Sequence, residues 1–333
     1  MKVVQIMRKP NGVAFSIEQL FEDVRKELPE NIAIETYTNP YRSCGIWRRL
    51  AAMVRAVWHQ GDINHITGDV HFLSIFLRRR KTILTVHDCV TLERLTGIKY
   101  QVFRFFWYWL PAKRSAAITV ISESTKKELL RHLGRGDWRI TIVPDPVSCE
   151  FKFSEKVFNH SCPVILQVGT KSNKNLERVA AALKGVSCKL VIIGKLVPTQ
   201  VAALKENEID YENHFSISRE ALIDHYRTCD MVMFASLYEG FGLPILEAQA
   251  VGRPVITSNL YSMPEVGGTN GACYVDPYQV DDIRRAVDKL TFDGDYRAEL
   301  ITSGLRNVEK YQAASIAGQY AELYREIYSE LSS

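Results

Sequence analysis

Short apolar runs recur along the chain, each followed by a polar loop and then by a stretch with the period of an amphipathic helix. Apolar runs of this length predict buried strands of a parallel sheet, and the stretches between them predict helices that cover its faces. In the first half, the predicted strands are residues 3–7, 33–37, 63–67, 82–87, 117–122 and 140–143. This alternation predicts a doubly wound α/β unit, although no G-x-G-x-x-G dinucleotide fingerprint follows the first strand.

The same order of elements begins again after residues 143–147, where two prolines interrupt regular strand pairing. In the second half, the predicted strands are residues 163–168, 189–193, 231–235, 254–257 and 271–275. A length of 333 residues also favours two domains, because one hydrophobic core rarely serves so long a chain. We predict an N-terminal domain at residues 1–155, a second domain at residues 156–312 and a C-terminal helix at residues 313–333.

The loop after the strand at residues 231–235 is the most informative stretch of the sequence. Gly242 allows a tight turn there, and Gly252 marks the end of the helix that should follow. Glu239 falls in the loop and Glu247 in the first turn of the helix. A helix N-terminus suits a phosphate, while carboxylates accept hydrogen bonds from sugar hydroxyls. The stretch therefore predicts a site for a nucleotide sugar.

Composition narrows the class of protein. The chain has 46% apolar and 24% charged residues, which is ordinary for a globular protein, and no apolar run is long enough to span a membrane. The N-terminal residues are expected to form a strand and do not resemble a signal peptide. Seven cysteines without a C-x-x-C pair favour reduced thiols over a disulfide framework or a metal site. We therefore expect a cytoplasmic protein.

Charge is distributed unevenly between the two halves. Residues 1–150 carry a net charge of +8, while the remainder carries −4. The basic half predicts a surface that binds anions, either membrane phospholipid or a lipid-diphosphate acceptor. The alternative is that the charge is merely distributed unevenly over the surface. Nucleic acid is disfavoured, because basic and aromatic residues are not interleaved as in a known binding module.

Two predicted helices of the first half carry features that fit a membrane surface. Residues 46–59 predict a basic amphipathic helix, which could equally be an ordinary helix packed on the sheet. Residues 100–114 are aromatic on almost every face, so we expect a buried helix or, alternatively, an interfacial aromatic patch. Together with the basic run at residues 78–81, they predict peripheral contact with the inner face of the plasma membrane.

The sequence from Glu239, E-G-F-G-L-P, with Glu247 eight positions later, resembles the E-x7-E signature of the retaining GT-B glycosyltransferases of group 1, glycosyltransferase family 4. The alternative interpretation is an ordinary strand-loop-helix unit with two solvated glutamates. The resemblance implies the GT-B fold, in which two doubly wound, Rossmann-like domains face a cleft and a terminal helix crosses back to the first domain. It also implies retaining, metal-independent transfer from a nucleotide-sugar donor, with no cofactor.

By the same resemblance, Lys174 is expected to bind the donor diphosphate and Glu247 the ribose hydroxyls. Many relatives carry an arginine directly after the glycine at position 169, whereas this chain has Thr170, and this weakens the predicted donor clamp. The expected donor-binding residues are Gly169, Thr170, Lys174, Ile217, Ser218, Phe241, Gly242, Leu243 and Glu247. Ser218 could instead simply cap the helix that follows it.

The resemblance assigns His87 and Glu239 to catalysis, although His87 could instead have a purely structural role at the end of its strand. Acceptor-side candidates are Asn11, Gly12, Asp69 and Asp88, and no metal ligand is predicted. The acceptor is expected to be a glycan or a lipid-linked glycan in bacterial surface polysaccharide or lipopolysaccharide synthesis. Two alternatives are a catalytically silent nucleotide-sugar-binding protein and a GT-B sugar-nucleotide epimerase, although such epimerases lack this E-x7-E spacing.

Overall fold

The computed structural model describes residues 1–9, 17–41 and 45–331. The chain forms two compact units, one of Met1–Pro146 with Ala313–Ser333 and the other of Val147–Gln312. This division falls earlier than the boundary expected after residue 155. The reason is local hydrogen bonding, because Val147 N donates to the carbonyl of Tyr311 at 2.8 Å and Ser154 N to that of Val251 at 3.2 Å, both within the second unit.

Each unit is built on a parallel sheet, as the apolar runs predict. The strands described in the first unit form one sheet in the order β2-β1-β3-β4-β5-β6, and those of the second unit form another in the order β12-β11-β10-β7-β8-β9. The strands are β1 Lys2–Met7, β2 Ala33–Thr38, β3 Ile63–Ile66, β4 Thr82–Val86, β5 Ala117–Val120, β6 Ile140–Ile142, β7 Val164–Val168, β8 Lys189–Ile193, β9 Tyr211–His214, β10 Met231–Phe234, β11 Val255–Ser258 and β12 Cys273–Val275.

Helices connect the strands and cover the sheets. They are α1 Ile17–Lys26, α2 Ile46–Val57, α3 Val90–Arg94, α4 Gly97–Arg104, α5 Leu110–Lys113, α6 Glu123–Leu133, α7 Leu176–Leu183, α8 Pro198–Glu206, α9 Arg219–Thr228, α10 Leu243–Val251, α11 Met263–Gly267, α12 Val280–Phe292, α13 Gly294–Val308 and α14 Ala313–Glu330. Among the residues described, none of these helices has the length and apolar character needed to cross a membrane.

The C-terminal helix α14 belongs to the first unit, as the sequence predicts. His65 of β3 fixes it to the sheet, because its Nδ1 lies 2.6 Å from Tyr324 Oη on α14 and its Nε2 lies 2.7 Å from Thr85 Oγ1 on β4. Burial, with a smaller contribution from the charge of His87, lowers the pKa of His65 to about 3. The ring is therefore neutral at physiological pH, and both of its nitrogens are used in packing α14 onto β3 and β4.

The aromatic stretch at residues 100–114 differs from a single buried helix. It comprises the end of α4, a π-helical turn at Phe105–Trp109 and then α5. Tyr108 is buried, whereas Val102 and Phe106 are about half exposed. The expectation of a core helix is therefore wrong for one face of this stretch, which presents apolar side chains at the surface of the first unit.

Candidate functional site

The loop between β10 and α10 has the backbone conformation that its glycines predict. Gly242 precedes the first helical residue with a φ of 116°, and Gly252 ends the helix with a φ of 77°, both in the left-handed region that favours glycine. Because α10 begins at Leu243, Glu247 lies in its second turn, not in its first as the sequence suggests. Ser262 Oγ braces the loop by donating to the carbonyls of Glu239 and Phe241, at 3.0 Å and 2.7 Å.

Lys174 and Glu239 form a close ion pair within the second unit. Lys174 Nζ lies 2.6 Å from Glu239 Oε1, and each side chain is only about one-sixth exposed. Asn173 Nδ2 donates to the same carboxylate oxygen at 3.1 Å, and the Lys174 ammonium lies 4.3 Å from the centre of the Phe234 ring. The two residues that the sequence assigns to diphosphate and to sugar are therefore in direct contact.

The loop that carries Lys174 is shaped by backbone conformations available to few residues. Lys174 ends a short 3₁₀ turn, and α7 begins only at Leu176, after Asn175 with a φ of 62°. The N-terminus of α7 is therefore set by Asn175, and neither Ser172 nor Asn173 caps this helix. The Asn175 side chain instead donates to the carbonyls of Ala235 and Pro277, at 3.1 Å and 2.7 Å, and ties this loop to β10.

Position 170 supplies no positive charge to the loop. Thr170 Oγ1 donates to the carbonyl of Lys195 at 2.8 Å, so its hydroxyl braces the neighbouring loop. Gly169 has a φ of 94°, and a Cβ atom there would lie 2.8 Å from Lys174 Cε. The absence of a side chain at position 169 therefore leaves the space through which the Lys174 side chain passes.

Glu247 has a partner that the sequence analysis missed. Tyr226 Oη, on α9, donates to Glu247 Oε2 at 2.5 Å, and Tyr226 itself is fully buried. Burial raises the pKa of Glu247, while the Tyr226 hydrogen bond and the charges of Arg219 and Lys174 act in the opposite direction. No periodicity or motif identifies Tyr226, because it reads as an ordinary apolar position of α9.

Ser218 caps α9, which is the structural alternative left open by the sequence. Its Oγ accepts from the backbone N–H of Ala221 at 3.1 Å. Ile217 lies beside it, three residues after the end of β9, and is half-buried. Phe241 is buried and Leu243 partly so, which leaves backbone groups at the start of α10 as the means of binding from this segment.

His87 lies directly after β4 in the first unit, and both of its ring nitrogens have partners. Nε2 is 2.9 Å from the carbonyl oxygen of Thr67, and Nδ1 is 3.6 Å from Asp145 Oδ1. Burial opposes the charge of His87, but Asp145 and the Thr67 carbonyl outweigh it and raise the pKa of His87 above its usual value. A hydrogen bond from His87 to a sugar would have to replace one of these two contacts.

Asp69 and Asp88, both exposed, join His87 in lining one cavity of about 200 Å³ in the first unit. Two acceptor-side candidates, Asn11 and Gly12, lie outside the described residues. Within residues 1–9, 17–41 and 45–331, no three His, Cys, Asp or Glu side chains are grouped closely enough to hold a metal ion. The predicted residues thus fall into two groups, one in each unit.

Two family descriptions cover most of the chain. "Glycosyl transferases group 1" matches residues 149–306, and "Glycosyltransferase Family 4" matches residues 14–151. The serotype-specific mannosyltransferase WbdA of Escherichia coli is 28% identical over 270 residues, which are 71% of this chain and 32% of WbdA. The chain thus spans about a third of the length of this relative.

A second curated relative and a solved structure extend the comparison. The MMP alpha-(1->4)-mannosyltransferase of Mycolicibacterium hassiacum is 31% identical over 274 residues, covering 75% of this chain and 66% of that protein. The Anabaena protein HepE, solved in complex with UDP and glucose, has a TM-score of 0.77 at 14% identity and covers 98% of this chain and all of its own. At that identity, the likeness to HepE concerns the fold alone.

Proposed function

The chain belongs to the group 1 glycosyltransferases of family 4 and has their two-domain α/β GT-B fold, and we propose that it transfers a sugar from a nucleotide sugar to a glycan or lipid-linked acceptor. The observation that carries the proposal is the contact between Lys174 and Glu239, beside the helix that holds Glu247. The proposed cation for the diphosphate and carboxylate for the sugar are in contact on two loops of one unit, and the proposed carboxylate for the ribose lies on the helix that follows the second loop.

The proposed reaction is a retaining exchange at the anomeric carbon of the donor sugar. The bond from this carbon to the diphosphate oxygen breaks, and the acceptor oxygen bonds to the same face of the sugar. The acceptor hydroxyl proton passes to the departing diphosphate. Lys174 and the N-terminal N–H groups of α10 stabilise the charge that develops on the diphosphate, so no metal ion is required.

The substrate class follows from the relatives that carry an activity in their names. Both are mannosyltransferases, one of them serotype-specific, and this supports a hexosyl donor and a bacterial surface polysaccharide or lipopolysaccharide product. HepE was solved with UDP and glucose, and this supports a nucleotide sugar as the donor. The proposed location is the cytoplasm, with peripheral contact to an anionic membrane through the basic first 150 residues.

The stereochemistry of the product tests the proposed reaction. With a donor of known anomeric configuration, NMR of the product should show the same configuration, and EDTA should leave the rate unchanged. An inverted product, or activity that is lost with EDTA and restored by Mn²⁺, would contradict the proposed mechanism.

Replacing each of the two glutamates by glutamine should change a different kinetic constant. Glu247→Gln weakens ground-state binding of the nucleotide, so it should mainly raise the donor KM. Glu239→Gln disturbs the reacting sugar and the charge of Lys174, so kcat should fall more than about tenfold with a smaller effect on donor affinity. Steady-state kinetics measures both effects, and Glu206→Gln, at an exposed glutamate of α8, is the control. Kinetic constants for both variants that match those of the control would refute these roles.

A further inference from the structure

A deep apolar groove of about 640 Å³ crosses the surface of the first unit between α2 and α4. Ile46 and Leu50 form one wall, and Ile98, Val102 and Phe106 form the other. Ile46 is 70% exposed and Ile98 is 83% exposed, so these apolar walls face solvent. Concave apolar surfaces of this volume are typical of sites that bind an apolar ligand.

The groove adjoins the polar cavity that contains His87. Phe103 and Trp107 line both of them, so the apolar groove and the polar cavity are neighbours that share an aromatic wall. On the polar side, Asp69 and Asp88 supply carboxylates that accept hydrogen bonds from hydroxyl groups. One ligand with an apolar chain and a hydroxyl-bearing end could occupy both.

Two cationic side chains line the apolar groove. Arg49 lines it with its guanidinium 4.3 Å from the centre of the Trp107 ring, and Lys99 lines it from α4 and is exposed. Arg49 therefore lies against Trp107 of the shared wall, and Lys99 lies one helical turn before Phe103 on α4, so an anionic group between the two parts of a ligand would be stabilised there.

We propose that this groove binds the hydrocarbon chain of a lipid-linked acceptor, with the anionic linkage of that lipid beside Arg49 and Lys99 and its hydroxyl-bearing end in the cavity of His87. The inference rests on the proposed transferase function and specifies its acceptor. A concave groove favours one chain of a single lipid over insertion into a bilayer, for which a convex surface is suited. The exposed Trp58, near the end of α2 and outside the groove, is a separate apolar side chain that a bilayer could contact.

Calorimetry with single-chain amphiphiles below their micelle concentration tests the proposal on the full chain. Decyl phosphate should bind, and Val102→Asp and Ile98→Asp should each weaken its binding at least tenfold. Both positions are exposed, so the variants should keep the melting temperature of the parent. Lys99→Gln should lower the affinity for decyl phosphate severalfold and leave the affinity for the neutral decyl maltoside unchanged.

Val157→Asp, at an exposed apolar residue of the second unit, is the matched control and should bind decyl phosphate as the parent does. Equal binding by the parent and both groove variants would overturn the proposal. So would decyl phosphate binding that Trp58→Ala abolishes and Val102→Asp leaves intact, because that result places the amphiphile at Trp58 and outside the groove. Nucleotide-sugar binding, measured in parallel, reports separately on the transferase function, since the groove variants should retain it.

Discussion

Glu247 is a carboxylate whose ionisation works against the stability of the folded chain. Burial raises its pKa, and the hydrogen bond from Tyr226 only partly offsets that effect. A buried carboxylate held for ligand binding commonly costs stability, since the ligand and not the fold supplies its missing partners. At the scale of single residues, the proposed role of Glu247 in binding the nucleotide therefore opposes the stability of the fold.

Replacing Glu247 by glutamine should make this cost visible. The pKa of Glu247 is higher in the folded state than the unfolded value of about 4.3. The parent therefore loses stability as the pH rises from the unfolded-state pKa through the folded-state pKa, and Glu247→Gln does not. The difference in unfolding free energy between variant and parent should therefore shift in favour of the variant between pH 4 and pH 8. Urea unfolding at several pH values measures it, with Glu206→Gln as control. A difference that is independent of pH would contradict this account of Glu247.

His87 should titrate above its usual range, in contrast to His65. The Asp145 carboxylate and the Thr67 carbonyl raise the pKa of His87, so its protonation stabilises the fold fully below about pH 6.5 and this contribution is lost as the pH rises through the folded-state pKa. NMR titration should show His87 titrating above pH 6.5 and His65 unchanged from pH 5 to pH 8. Asp145→Asn should lower the pKa of His87. An unaltered His87 titration in that variant would exclude the ion pair as its cause.

At the scale of elements, the proposed donor site depends on two loops that follow neighbouring strands of one sheet. β7 and β10 pair in parallel, so the loops at their carboxyl ends lie side by side and bring Lys174 to Glu239. The glycines at positions 169 and 242 both have positive φ. This is the edge at which ligands bind in open α/β sheets.

Gly169→Ala tests the shape of the first loop. The positive φ should cost about 1–3 kcal/mol of stability, and the added Cβ should displace the Lys174 side chain, so donor affinity should also fall. Gly185→Ala is a matched control, since Gly185 has a φ of 70° with no atom within 4 Å of an added Cβ. Both variants should be destabilised in urea, but only Gly169→Ala should weaken binding. Equal donor affinity in Gly169→Ala and Gly185→Ala would show that Gly169 is needed for the backbone conformation and not for the position of the Lys174 side chain.

The sequence predicts most elements because their apolar runs are clear, and it fails where that signal is absent. β9 is missed because its residues, Tyr211–His214, read Y-E-N-H and contain no apolar run. The π-helical turn at Phe105–Trp109 is missed because aromatic residues on every side carry no period. The cap of α9, Ser218, is available from the sequence as the alternative to a donor contact, because it precedes a polar-apolar helical pattern.

At the scale of the whole molecule, the sequence predicts two α/β units and a helix that returns to the first of them. The repeat of strand, loop and helix is sufficient for the first point, and the family resemblance for the second. The contacts made by buried polar groups are not predictable in this way. Tyr226 with Glu247, Asp145 with His87 and Tyr324 with His65 each join residues distant in the chain, and only the packed structure brings them together.

The central claim is that Lys174, Glu239 and Glu247 form a nucleotide-sugar site, and calorimetry with UDP, GDP, ADP and CMP sugars tests it most directly. At least one nucleotide class should bind the parent. Lys174→Ala should weaken that binding by roughly 1.5–3 kcal/mol, about 10- to 100-fold, because the diphosphate loses a charge-assisted partner. Lys205→Ala, at an exposed lysine of α8, should bind as the parent does. No binding by the parent, or equal binding by Lys174→Ala, would contradict the account.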